Sequence, residues 1–184
     1  EFVLAVPGRR YGDFTEILEP IQARAREAVT EIIEETRWEG HRLVVAHNPE
    51  RALEQTALRR KRIAALEVRA AQLAGKLDGQ DAGEVRRGRK LSDSGAKARF
   101  YHEVCDASLA RIIKVDLKSD LFTYAVDEAA QQRAELMDGK LLLVTNVTDL
   151  SAEEIVRRYK SLADIERGFR VLKSEIEIEI APVF

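Results

Sequence analysis

Asn48-Pro49 opens the longest helical pattern in the chain, and that pattern limits what the chain can fold into more than any other feature. Asparagine caps free N–H groups at a helix start, and proline at the first helical position lacks only a donor that has no partner there. Beyond it, Ile63, Leu66, Ala70, Leu73 and Leu77 are spaced 3, 4, 3 and 4 residues apart, the spacing of a helix-packing seam. Lys76-Leu77-Asp78-Gly79 reads as the end of this helix, with a cation in the last turn and a glycine just after. The seam is short, which favours packing on a neighbouring helix over an extended coiled coil. A charged fraction of 34% with only 6% aromatic residues also favours long, salt-bridged helices over a β-sandwich.

The remaining periodicities alternate between strand and helix. Phe2 to Val6 is a short apolar run closed by Pro7-Gly8, and Phe14, Ile17, Leu18 and Ile21 follow helical spacing despite Pro20. From about Thr30 to His47, alternation around Glu39-Gly40 predicts a β-hairpin. Residues 78–93 are glycine-rich and charged, and hold the basic run Arg86-Arg87-Gly88-Arg89-Lys90. A short helix from Ser94 to about Cys105 puts Phe100 and Val104 on one face. Strands are expected at 112–117 and 121–126, then a polar helix from Asp127 to about Leu136. Asp138-Gly139 signals a turn into the strand Leu141-Leu142-Leu143-Val144. Ser151-Ala152-Glu153-Glu154 makes a capping box that starts a helix running to about Lys173. Glu175 to Ile180 alternates strictly, as a half-buried strand does.

That last helix carries the most informative pattern. At about 100° per residue, Ile155, Tyr159, Leu162, Ile165, Phe169 and Leu172 fall on one arc, and most charges lie outside it. Glu166 and Lys173 lie inside it. An ionised glutamate on an apolar face costs several kcal/mol unless it is paired or holds a metal. The simpler reading pairs Glu166 with Arg170, four residues on. The sharper one points Glu166 into a site whose other members lie elsewhere, as a ligand to a hard divalent cation.

At these residues the chain resembles a known family. Val144-Thr145-Asn146, followed by Tyr159 through Lys173, is similar to the last catalytic segment of bacterial insertion-sequence transposases of the DDE class. Those enzymes have a ribonuclease H-like core, and one group carries the signature Tyr-x2-Arg-x3-Glu-x6-Lys. Tyr159, Glu166 and Lys173 stand at those spacings, while Leu162 stands where the signature has arginine. Ser174 to Ile178 and the stretch from Arg86 to Phe100 also look like one branch of the group. The resemblance implies an α/β fold: a partial ribonuclease H-like core with a hairpin-plus-long-helix insertion. It implies double-stranded DNA at transposon ends as partner, self-association of the full-length protein, and a cytoplasmic, nucleoid-associated bacterial setting. It further implies three carboxylates, Asp, Asp and Glu, holding two Mg²⁺ (or Mn²⁺) ions that activate water and then a 3′-hydroxyl for attack on a phosphodiester. Glu166 would be the third carboxylate, and Lys173 and Tyr159 would contact the DNA end, with Arg158 or Arg170 a stand-in for the missing signature arginine.

The two aspartates have no obvious seat in the chain. Asp13 follows a glycine-rich turn rather than an apolar strand, and Asp116 and Asp127 lie too close to Glu166. They are therefore expected before Glu1, leaving an incomplete catalytic site and no metal bound by this segment alone. The expected organisation is a core strand at 1–12, the insertion at 13–110, and a return to the core at 111–184. Arg86, Arg87, Arg89 and Lys90 are candidates to track a phosphate backbone. The alternative function is a non-catalytic helical DNA-binding or oligomerisation module that uses the Ile63–Leu77 seam and this basic loop.

Other features exclude or weigh little. Cys105 is the only cysteine, so an internal disulfide and a four-cysteine zinc site are ruled out. No apolar run approaches the ~18–20 residues of a membrane span. With 30 basic against 32 acidic residues, net charge names no partner. Arg59-Arg60-Lys61-Arg62 reads as a solvated face, and Trp38 as a cross-strand packing residue rather than a base-stacking one.

Overall fold

The computed structural model describes residues 1–25, 27–83 and 90–175, with the backbone alone at 163, 170 and 172–175. Glu175, the first residue of the expected strand at 175–180, ends a helix instead, and residues 176–180, together with Arg86, Arg87 and Arg89 of the basic run, lie outside the described residues. The fold is mixed α/β, in two compact units: Glu1–Pro49 with 140–184, and Glu50–Gly139.

The first unit is built on a four-stranded antiparallel sheet in the order β1-β6-β3-β2: β1 (Val3–Ala5), β2 (Ile32–Trp38), β3 (His41–His47) and β6 (Lys140–Thr145). The predicted hairpin is β2–β3, in register from Ile32 opposite His47 to Trp38 opposite His41. Its two-residue turn places Glu39 at φ 50° and Gly40 at φ 79°, the doubly left-handed form that matches the strand twist. β6 pairs with β1 through Leu143 opposite Ala5, and with β3 through Leu143 opposite Val44. Val44, Ala46 and Leu143 form one buried face with Ile155 and Val156 of α5 (Ala152–Glu175). Alternation puts Leu43, Val45 and Leu142 on the other face, where they are also buried. A 3-10 segment (Gly8–Phe14) and α1 (Thr15–Ala25) contribute buried Phe14, Leu18 and Ile21, and Pro20 sits inside α1 without ending it. Trp38 is a packing residue: its ring lies 4.9 Å from that of Phe14, and the Arg10 guanidinium stands 5.7 Å from the Trp38 ring centre.

The second unit is organised by α2 (Pro49–Asp81). All five seam residues, Ile63, Leu66, Ala70, Leu73 and Leu77, are buried, in one cluster with Ala96, Phe100 and Val104 of α3 (Asp93–Asp106) and with Leu109, Ile112 and Ile113. The seam therefore closes inside its own unit. The helix runs through Gly79, which was expected to end it, and stops before Gly83 at φ 75°. The Gln80 side chain holds the helix end: its Nε2 donates to the Leu91 carbonyl at 2.8 Å, and its Oε1 accepts from the Leu91 N–H at 2.7 Å. β4 (Ile113–Val115) and β5 (Tyr124–Val126) pair as a separate short ribbon, shorter than the runs expected from sequence. Phe122 and Tyr124 pack on Phe100 at 5.5 and 5.2 Å between ring centres. The polar helix α4 (Glu128–Met137) is capped by Asp127, whose side chain accepts from the Ala130 N–H.

Arg59 departs from its expected solvated role. It forms a two-pronged pair with Asp138, which also accepts from the Thr56 hydroxyl at 2.7 Å, and the Asp138 side chain is only 6% exposed. The buried pair explains why one of four successive cations leaves the solvated face: a buried carboxylate needs a charged donor.

The unit boundaries fall at 49/50 and 139/140 rather than at the expected 12/13 and 110/111. The physical reason is the hairpin: β3 is hydrogen-bonded to β6 along its length, so residues 32–47 belong to the sheet and not to the intervening unit.

Two stability outcomes follow from these contacts. Leu73→Ala, at a fully buried position, lowers unfolding free energy by about 3 kcal/mol. Glu39→Asn relieves a left-handed glutamate and raises it by about 0.5–1 kcal/mol. Urea denaturation monitored by circular dichroism reads both.

Candidate functional site

The candidate residues ride on α5, and the junction that launches this helix is tied down from three sides. The Thr145 hydroxyl donates to the Phe2 carbonyl at 2.5 Å and accepts from the Val147 N–H at 3.1 Å. Asn146 Oδ1 accepts from the Phe2 N–H at 2.8 Å. Arg42 of β3 donates from Nη1 to the carbonyls of Val147 and Leu150 at 2.9 and 2.7 Å, and from Nη2 to Glu35 Oε2 at 2.6 Å. Charge-assisted bonds of this kind are about twice as strong as neutral ones. Arg42 therefore fixes where the 146–151 loop leaves the sheet, and through it where α5 begins.

The capping box forms in part. The Glu154 N–H donates to Ser151 Oγ at 3.2 Å. The Glu154 carboxylate is instead taken by Arg158 Nε at 2.6 Å and Arg157 Nε at 2.9 Å. Those two guanidinium groups, Arg158 first, hold the Glu154 carboxyl below the usual glutamate range. The Arg42 bond does the same to Glu35.

Along α5 the environment changes sharply. Ile155 and Val156 are buried on the sheet and Tyr159 is partly buried against the same cluster. Farther on, Leu162, Ile165 and Phe169 are 55–57% exposed. Glu166 is itself exposed, so the desolvation cost inferred from its place on the apolar arc does not arise: the walls beside it are open to water too. Seven-residue steps separate Tyr159, Glu166 and Lys173, about 10.5 Å each and within about 20° of one face. Thus the backbone keeps the three on one side of the helix. The side chains of Arg170 and Lys173 lie outside the described residues, and with them the expected Glu166–Arg170 pair.

Among the described residues, no three His, Cys, Asp or Glu side chains come together as a metal site. A two-metal centre needs three carboxylates, and α5 supplies one at Glu166, so the described residues do not by themselves fit Mg²⁺ or Mn²⁺. Lys90, the described member of the basic run, is exposed. His102 pairs with Asp106 at 2.9 Å on the surface of α3, and Cys105 beside it is exposed. No helix among the described residues is long and apolar enough to cross a membrane.

Arg42 is the residue that sequence reasoning missed. Its partners Val147 and Leu150 stand 105 and 108 positions away, and nothing in the local pattern of β3 marks it.

The lowered Glu154 and Glu35 carboxyls set the sign of the acid response. Each is ionised more readily in the folded state, so its stabilisation is complete above the ordinary glutamate pKa of about 4.3 and is lost as pH falls below it. Glu154→Gln is expected to narrow the difference in Tm between pH 7 and pH 3.5, measured by thermal melts of both proteins. Against known proteins, the chain matches no family model, no curated protein and no solved structure.

Proposed function

We propose that the chain is the insertion and Glu-bearing portion of a DDE-class DNA transposase with a ribonuclease H-like core. In this reading the full-length enzyme cuts and joins phosphodiesters at transposon ends, and two aspartates from a segment preceding Glu1 complete its site. The supporting observation is the course of the chain at β6 and α5. A central strand, held on both edges, passes through a tethered loop into a helix that carries Tyr159, Glu166 and Lys173 on one face, with the Glu166 carboxylate open to solvent.

The roles follow from chemistry. Glu166 is the third metal-binding carboxylate, and the exposed Leu162, Ile165 and Phe169 beside it suit packing against the element that brings the other two. Lys173 and Tyr159 contact the DNA end, with Arg170 available as a further phosphate donor. Arg86, Arg87, Arg89 and Lys90 follow the duplex backbone, each neutralised phosphate releasing counterions. The setting is the bacterial cytoplasm, at the nucleoid. The competing use of Ile63–Leu77 as an oligomerisation seam is disfavoured by its burial within the second unit.

Two measurements test this. In the polypeptide that includes the two aspartates, Glu166→Gln is expected to reduce Mg²⁺-dependent end cleavage by about a thousandfold or more. Binding to end DNA, followed by gel shift without Mg²⁺, stays close to that of the parent. Equal loss of binding and cleavage overturns the assignment in favour of a structural role. Replacing Arg86, Arg87, Arg89 and Lys90 together by alanine is expected to lower the slope of log K against log salt by about 3 to 4. An unchanged slope removes the basic run from the interface.

A further inference from the structure

A buried corner of the first unit holds two bases that the proposed chemistry leaves aside. His47 ends β3 and Lys140 begins β6, and they stand directly opposite each other as the last rung of that ladder. Both are buried, His47 at 3% and Lys140 at 9% exposure. They lie on the sheet face that the 3-10 segment and α1 cover. Lys140 Nζ stands 3.5 Å from His47 Nδ1 and donates to Gln22 Oε1 of α1. The Tyr11 hydroxyl of the 3-10 segment donates to the Lys140 carbonyl at 3.4 Å. Lys140 therefore ties the 8–25 segment to the sheet twice, by its ammonium and by its carbonyl.

A lysine ammonium can only donate, so the histidine nitrogen that faces it must accept, and the imidazole beside Lys140 is the neutral one. A second positive charge here would meet both burial and a like charge, and each opposes protonation. The carboxylates of the surrounding elements are engaged elsewhere or lie in water. Ile32 stands opposite His47 on β2, and Glu34, two residues on, accepts from Arg24 Nε at 2.7 Å. On the 3-10 segment, Asp13 accepts from Arg10 at 3.1 Å. Glu16 and Glu19 of α1 are exposed.

We propose that His47 and Lys140 form a pH-operated latch for the 8–25 segment. At neutral pH the pair carries one positive charge between its members, and Lys140 keeps its tie to Gln22. As pH falls, the second proton enters only as the segment lifts from the sheet and the pair gains water. The folded imidazole takes up its proton less readily than the unfolded one. The stabilisation is therefore complete above the ordinary histidine value of about 6.5 and is lost as pH falls below it. That window lies above the one set by Glu35 and Glu154. The latch stands apart from the transposase reading, and its test involves no DNA.

Trp38, the only tryptophan, packs on Phe14 of the same segment and reports whether it is in place. The 184-residue chain is titrated with urea at two pH values, about 7.5 and 5, and the emission maximum gives the opening constant. Uptake of one proton by His47 raises that constant by about tenfold to thirtyfold between the two. His47→Gln is expected to cut the rise to about threefold or less, and Lys140→Met to lower it by at least about threefold. His41 lies directly opposite Trp38, and its protonation quenches the indole without moving the emission maximum. His41→Gln and His102→Gln therefore keep the full rise. In the parent chain, proton NMR reads the same property without any variant: one of the three histidine rings titrates about one pH unit or more below the other two. A parent rise of about threefold or less, an equal rise in His47→Gln, or three rings that titrate together overturns the latch. An undiminished rise in Lys140→Met overturns the part assigned to Lys140.

Discussion

The pairing of β6 between β1 and β3 is the constraint on which the sheet-bearing unit depends. This strand is reached after the whole of the second unit, yet its backbone is bonded on one edge to residues 3–5 and on the other to residues 42–47. A one-residue slip would merely exchange Leu142 and Leu143 between two buried faces, but it would break the pairing on both edges at once and pull Thr145 and Asn146 off the Phe2 backbone. Register is therefore strongly specified, and everything downstream inherits it. The Thr145, Asn146 and Arg42 contacts act within that frame to hold the short loop into α5.

α5 shows how far such a frame reaches. Its first two turns are anchored by Ile155 and Val156 on the sheet, and its charges there are satisfied locally by the Glu154, Arg157 and Arg158 group. Ion pairs at the surface add little stability on their own, so the anchoring is chiefly apolar. Beyond Tyr159 the helix continues with Leu162, Ile165 and Phe169 exposed to water. A carboxylate in that stretch carries no burial penalty and stays available for partners, which is the property the proposed role of Glu166 requires.

The second unit is organised by one long helix. Its inner seam meets α3 and the aromatic cluster around Phe100, which supplies the packing that an isolated helix lacks. The Arg59–Asp138 pair fastens the helix to the end of α4 by a buried charge contact whose loss would strand the carboxylate.

Local patterns were legible in the sequence because they act over three or four residues. The α2 seam, the β2–β3 hairpin with its Glu39-Gly40 turn, the strand at 141–144 and the Ser151 cap all follow from periodicity and capping chemistry. The face shared by Tyr159, Glu166 and Lys173 follows from spacing alone. Other features came only from the tertiary structure. These are the union of the hairpin with β6, the unit boundaries at 49/50 and 139/140, the Arg42 clamp, the burial of Arg59 with Asp138, and the exposure of Glu166 among uncovered apolar neighbours. Each joins residues far apart in the chain, or depends on whether a face that looks apolar is in fact covered. Periodicity says which residues share a side, whereas the energy of burying that side depends on what arrives to cover it.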